Sequence, residues 1–139
     1  MEDKEFSKFK HDAGAIVINK KTRAIALVKM HHNVWGFPKG GIRENENILD
    51  AAKREVYEET GIKNVEVIKK LPTYQRANSY NSDEYITINM YIFETAENDL
   101  KQVEYDIAEV KWFSIGQVKE QLTITEDKEY FETVKNQLN

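Results

Sequence analysis

The stretch that most restricts what this chain can fold into runs from Gly40 to Ile62, GGIRENENILDAAKREVYEETGI. Residues 46–60 contain neither Gly nor Pro. Asn45 or Asn47 can cap a helix, Asp50 suits its first turn, and Gly61 is placed to end it in a left-handed conformation. The spacing therefore predicts a helix over 46–60. Ile48, Ala52 and Val56 recur every four residues with Leu49 beside them, which predicts a buried stripe. Glu55, Glu58 and Glu59 stand at i, i+3 and i+4, so their carboxylates gather on one adjoining face, with Glu59 expected at the exposed end of the helix. Arg54 lies four before Glu58 and eight after Glu46 and can brace either. Like charges so placed cost about 0.2–0.5 kcal/mol per pair unless a cation sits among them. Hard divalent cations favour oxygen ligands, and Mg²⁺ is commonly held by a few carboxylates together with substrate phosphates. A solvated acidic face is the other reading of these three residues taken alone.

Gly40, Glu46, Arg54, Glu55, Val56, Glu58, Glu59, Gly61 and Ile62 together resemble the Nudix box, G-x5-E-x7-R-E-U-x-E-E-x-G-U with U a bulky aliphatic residue, at every specified position. The resemblance implies an α/β fold, an α/β/α sandwich around a mixed β-sheet. It also implies hydrolysis of a nucleoside diphosphate linked to a further group X, with Mg²⁺ or Mn²⁺ as cofactor. Glu55, Glu59, Glu58 and the Lys39 carbonyl would then be metal ligands. Glu58 would double as general base, with Arg54 beside it in the catalytic set. Some members take the base from a later loop, where Glu104 and Asp106 are the candidates here.

The surroundings of the box narrow X. Asn33-Val34-Trp35-Gly36-Phe37-Pro38-Lys39-Gly40 resembles the corresponding run in Nudix hydrolases of diadenosine polyphosphates. The Lys39 ammonium could meet a phosphate. Tyr80, eighteen residues past Ile62, stands where a tyrosine associated with dinucleoside polyphosphates occurs, and an aromatic there could stack on adenine. The resemblance thus points first to dinucleoside polyphosphates. A house-cleaning nucleoside triphosphate pyrophosphatase, acting for instance on oxidised dGTP, and an RNA 5′-end pyrophosphohydrolase are alternatives. A non-catalytic nucleotide sensor is a third, disfavoured because binding alone does not require the whole acidic set. The opening IRENE, and Tyr85-Ile86-Thr87-Ile88 where a lysine is common, depart from the dinucleoside pattern.

Around this helix the chain alternates strand and turn signals. Strands are predicted at 12–19, 23–29, 65–71, 85–94 and 109–113, with a short extended piece at Trp35–Phe37. Pro38 and the glycine pair predict a loop, and 74–83 reads as a polar loop. In the strand 85–94, Ile86, Ile88, Met90 and Ile92 share one face. Ser114 can cap a short helix through Leu122, and 126–138 reads as a terminal helix with Tyr130, Phe131, Val134 and Leu138 inward. The adjacent His31 and His32 point to opposite sides of an extended chain, against a metal pair.

At 139 residues, one domain over 1–139 is expected. The chain has no cysteine, which excludes disulfides, thiol catalysis and zinc-thiolate sites. No apolar run approaches the roughly 20 residues that span a bilayer, and Met1–Lys10 is too polar for a signal peptide, so a cytoplasmic protein without a membrane partner is expected. Residues 1–43 carry a net charge of +5 and the remainder −9, a distribution suited to a polyphosphate held between cations and metal. No basic run is interleaved with aromatics, so the expected partner is a small nucleotide rather than a stably bound nucleic acid. Monomer and homodimer are both compatible with the sequence.

Overall fold

A computed structural model describes residues 9–77 and 83–138. Its centre is β1 (Phe9–Asn19), which runs parallel to β7 (Tyr85–Thr95) in unbroken register, Phe9 opposite Tyr85 through Asn19 opposite Thr95. The other edge of β1 is shared. Its first half pairs antiparallel with β4 (Lys39–Gly41), and Ile18 near its end pairs with Ile25 of β2 (Ile25–Met30). β2 carries β3 (Trp35–Gly36) and β8 (Ile107–Phe113), both antiparallel. β7 carries β5 (Glu66–Lys70) and β6 (Tyr74–Ala77), also antiparallel. One parallel pair among antiparallel ones makes the sheet mixed, as expected.

The alternation of β1 decides how helices cover the sheet. Ala13, Ala15 and Val17 point to one face, where they meet Ala51, Ala52 and Val56 of helix α1 (Ile48–Thr60) and Phe93 of β7. Small residues on both sides let α1 lie close against the sheet. Ile16 and Ile18 point to the other face. There they join Ile86, Ile88, Met90 and Ile92, covered by Val118 of α2 (Ile115–Gln121) and by Tyr130, Phe131 and Val134 of α3 (Thr125–Val134). Phe93 and Phe131 are fully enclosed, each contributing on the order of 1.5–3 kcal/mol by burial. A one-turn 3₁₀ helix, Lys135–Gln137, follows α3 and brings Leu138 into the same core. The result is the expected α/β/α sandwich.

Several local expectations change. The Pro38–glycine segment is not wholly a loop: Lys39–Gly41 pairs with Asp12–Gly14 as β4. The segment read as a polar loop from Tyr74 begins as strand β6, because Tyr74 to Ala77 have free ladder positions on β7. On α1 the cap is Asn47, whose side chain accepts the Asp50 N–H at 2.8 Å; Asn45 instead takes a left-handed turn conformation at φ 64°. Ile48 is 39% exposed, while Ala51 takes the buried place expected of it. Glu59 is not at an exposed end: it is only 7% exposed, because β4 folds across the last turn of the helix.

Gly61 ends α1 as expected, at φ 81°, its N–H donating to the Tyr57 carbonyl. A Cβ there would also fall 2.4 Å from the Lys101 carbonyl oxygen. That close approach docks the acidic loop on the helix end. The Lys101 N–H donates to the Thr60 carbonyl, and the Val103 and Glu104 N–H groups donate to the Glu58 carbonyl, each at 2.9 Å. These bonds satisfy carbonyls that a helix end otherwise leaves unpaired. They also carry Glu104 and Asp106 to the acidic face of α1.

Candidate active site

Arg54 is the hub of the acidic face. Its Nε and Nη2 grip both oxygens of Glu46 at 2.8 and 2.9 Å. Its Nη1 donates to Glu55 at 2.7 Å and to Glu58 at 3.0 Å, and Nη2 also reaches the Gly41 carbonyl at 2.9 Å. The sequence left a choice between Glu46 and Glu58; the planar fork of arginine allows both at once. The bonds from Arg54 hold Glu46 down to about 2. Arg43 adds a second cation, 3.4 Å from the other oxygen of Glu58.

Glu59 accepts the Lys39 N–H at 3.2 Å. Burial pushes this carboxyl well above the usual range, and the nearby charge of Glu55 pushes it further. Glu55 is also raised, by burial first, although its bond to Arg54 opposes the shift. In β4 the bonds to β1 are made by neighbouring residues: the Ala15 N–H donates to Pro38, and the Ile42 N–H to His11. The Lys39 N–H and C=O share the opposite edge, since both groups of one strand residue lie on the same side. The Lys39 carbonyl therefore faces α1 with its N–H. Gly40 makes room for this layer, because a Cβ there would stand 2.4 Å from the Glu55 carboxyl carbon.

The docked loop completes a second acidic group. Glu104 is pushed up by a hydrogen bond with Glu58, then by burial and by the charges of Glu58 and Asp106. Asp106 also adds to the repulsion felt by Glu59. The structure thus brings together Lys39, Arg54, Glu55, Glu58 and Glu59 with both later-loop candidates. Tyr80 lies outside the described residues.

The donor set fits a hard divalent cation. Every group is a carboxylate or carbonyl oxygen, two of the carboxylates are buried beside each other, and Gly40 keeps the space over Glu55 open. Arg54 draws Glu55 and Glu58 toward itself, and among the described residues no three acidic or histidine side chains converge at ligand spacing. A cation would have to draw Glu55 or Glu58 away from that guanidinium.

The Lys39 side chain goes the other way. Its buried ammonium is 3.9 Å from Asp127 Oδ2, on the first turn of α3. Asp127 is fully buried, and Tyr74 Oη donates to its Oδ1. Arg76 of β6 brings Nε to 4.0 Å from Oδ1. Lys39, Arg76 and Asp127 line a cavity of about 300 Å³. Sequence reasoning missed this group. Asp127 carries only the signal of an acid in a helix first turn, and Tyr74 and Arg76 fall in a segment that reads as a loop. His31 pairs through Nε2 with the Tyr105 carbonyl at 2.9 Å.

The NUDIX domain model matches residues 8–134. The chain is 32% identical over 131 residues to Nudix hydrolase 6 of Arabidopsis thaliana, a match covering 88% of this chain and 45% of that protein. It is 27% identical over 124 residues to an RNA pyrophosphohydrolase of Pelagibacter ubique, covering 78% of each. The chain spans between 24% and 78% of the length of these and another curated relative. Among solved structures, the crystal structure of a C. elegans Ap4A hydrolase binary complex superposes with a TM-score of 0.80 at 16% identity, covering 93% of this chain and 97% of that one.

Proposed function

The chain belongs to the NUDIX domain family, and from that premise we propose that it hydrolyses a nucleoside diphosphate linked to a further group, using Mg²⁺ or Mn²⁺. The observation that carries this reading is the pair of buried carboxylates, Glu55 and Glu59, set side by side under the backbone of Lys39. Burial disfavours both charges, and a divalent cation supplies the compensation that the single guanidinium of Arg54 leaves incomplete.

In this reading Glu55, Glu59 and the Lys39 carbonyl hold the cation, with Glu58 able to join them. Held by these groups, a divalent cation would supply charge neutralisation for the phosphates and acidify the attacking water. Glu58 accepts the proton of the attacking water. Its neighbours Glu104 and Asp106 stand within the same acidic group and are the next candidates. Arg54 fixes the Glu58 carboxylate and draws Glu46 in behind it. Oxygen from water bonds to phosphorus, and the anhydride P–O bond breaks toward the second phosphate.

Two substrate classes have specific support. Dinucleoside polyphosphates are supported by the run Asn33–Gly40 and by the fold shared with the Ap4A hydrolase. RNA 5′ ends are supported by the match to an RNA pyrophosphohydrolase across most of both chains. A panel of diadenosine tetraphosphate, nucleoside triphosphates, ADP-ribose and 5′-triphosphorylated RNA, with products separated by chromatography, discriminates them. Hydrolysis should cease in excess chelator and return with Mg²⁺. Turnover undiminished by the chelator would overturn the metal-dependent mechanism.

A further inference from the structure

Two arginines meet the acidic face of α1, and the fold uses them differently. All five N–H groups of Arg54 are taken, by Glu46, Glu55, Glu58 and the Gly41 carbonyl. A guanidinium so filled has no donor left for a ligand. Arg43 has its backbone fixed as firmly: its N–H donates to Glu46 Oε1 at 3.0 Å, and its carbonyl accepts the Glu46 N–H at 3.1 Å. Its side chain is different, 64% exposed and reaching Glu58 Oε2 through one Nη at 3.4 Å. That contact is longer than the roughly 2.7–2.9 Å of a strong charge-assisted bond. The surface beside it is open, since among the described residues nothing stands within 4 Å of where a Gly41 Cβ would be. Lys39, the other cation that the sequence offers for a phosphate, sends its ammonium away from α1 to Asp127.

We propose that Arg43 is a phosphate-binding residue that trades Glu58 for substrate: it pairs with Glu58 in the free protein and, once Glu58 is engaged as a metal ligand, turns its guanidinium to the phosphate chain. The inference rests on the metal-dependent hydrolase reading and adds a residue that meets its phosphates. Glu58 cannot serve both partners fully, because a carboxylate neutralised by a divalent cation attracts a guanidinium less, and the two positive charges repel. A phosphate chain restores anionic acceptors to Arg43, and the planar fork of arginine matches two phosphate oxygens at once. The exposed stem can make that turn without moving the backbone, which Glu46 holds and Arg54 braces behind it.

The test is calorimetric titration of the full chain with Mg²⁺, and then with methylenediphosphonate at saturating Mg²⁺. The carbon bridge of this probe resists hydrolysis, and it carries no base, so only the phosphate contacts are read. Arg43→Gln should bind Mg²⁺ at least as tightly as the unaltered chain, because a competitor for Glu58 is gone. It should bind the diphosphonate at least about tenfold more weakly. Arg43→Lys, which keeps the charge without the fork, should fall between the two. Should Arg43→Gln not fold, Arg43→Lys decides, and diphosphonate binding equal to that of the unaltered chain refutes the assignment. Unchanged diphosphonate affinity in Arg43→Gln overturns the proposal. Mg²⁺ and diphosphonate affinities that fall together overturn it as well, since Arg43 would then only order Glu58. Either result in a chain that binds Mg²⁺ leaves the hydrolase reading standing, whereas an unaltered chain that binds no Mg²⁺ refutes that reading and the exchange with it.

Discussion

Replacing Glu59 by Gln should raise the stability of the metal-free protein while lowering its affinity for Mg²⁺. In the fold Glu59 is buried, accepts one backbone N–H from Lys39, and stands beside Glu55. Gln keeps an oxygen for the Lys39 N–H and removes the charge. Burial raises the folded-state pKa of Glu59 above its unfolded value of about 4.3. From there to the raised folded value, the native state holds more protons than the unfolded one, so stability falls as pH rises. Above the folded pKa the loss is complete, and wild type carries all of it. Each tenfold difference in proton affinity between the folded and unfolded chain is worth about 1.4 kcal/mol. Removing the charge should therefore raise Tm at pH 8, by about 3–5 °C for each kcal/mol gained in a chain this size. Glu59→Ala is the control. It orphans the Lys39 N–H and should destabilise by about 1–3 kcal/mol.

The assay is paired: melting curves of both variants in chelator between pH 5 and 8, and Mg²⁺ titration by calorimetry. For Glu59→Gln the stability difference should shrink as pH falls through the raised folded-state pKa, because wild-type Glu59 then gains its proton. Mg²⁺ affinity should fall at least about tenfold, the scale on which even supporting partners of ligands act. A Gln variant less stable than wild type at pH 8 would show that the Glu59 charge is satisfied in the apo fold. Unchanged Mg²⁺ affinity would remove Glu59 from the metal site.

Glu58→Gln should lower kcat by about 10²–10⁴-fold with binding preserved; a change of only a few-fold in steady-state kinetics moves the base to Glu104 or Asp106. Arg54→Lys should destabilise the fold by about 3 kcal/mol in denaturant titration, because a point charge cannot bridge Glu46, Glu55, Glu58 and the Gly41 carbonyl together; a variant as stable as wild type would show that the fork is replaceable. Gly40→Ala places a methyl 2.4 Å from the Glu55 carboxyl carbon and should weaken Mg²⁺ binding about 10–100-fold by calorimetry, with little effect if Glu55 is not a ligand.

The helix and its acidic face are legible in the sequence because their determinants are local. Asn47, Asp50, Gly61 and the three glutamates lie within one continuous segment, and the 3.6-residue period fixes their relative directions. The strands β1 and β7 are legible for the same reason, through alternation. The period alone puts Glu59 at an exposed end, wrongly, because its burial comes from β4, which contacts the helix only after the chain has turned on Pro38 and paired with β1. Helical period tells which residues share a face, and says nothing of what later covers that face. Ile48 shows the converse: it is in phase with the buried stripe, yet it stays exposed on the first turn.

Asp127 lies further out of reach of such reading. Its partners are Lys39 from β4 and Tyr74 and Arg76 from β6, separated from it by between 51 and 88 positions. Each residue has an ordinary local explanation: a first-turn acid, a rim lysine, two loop residues. The fold assembles them because β6 pairs with β7, and α3 packs its Tyr130 ring against Tyr74 at 4.0 Å between centroids. That aromatic stack sets α3 against β6 and so drives Asp127 inward beneath Tyr74. Burying a carboxylate this completely with one hydroxyl donor and two cations near 4 Å is costly for a residue with a structural task alone. Lys39 ties this group to the acidic face of α1, with its backbone N–H on Glu59 and its ammonium beside Asp127.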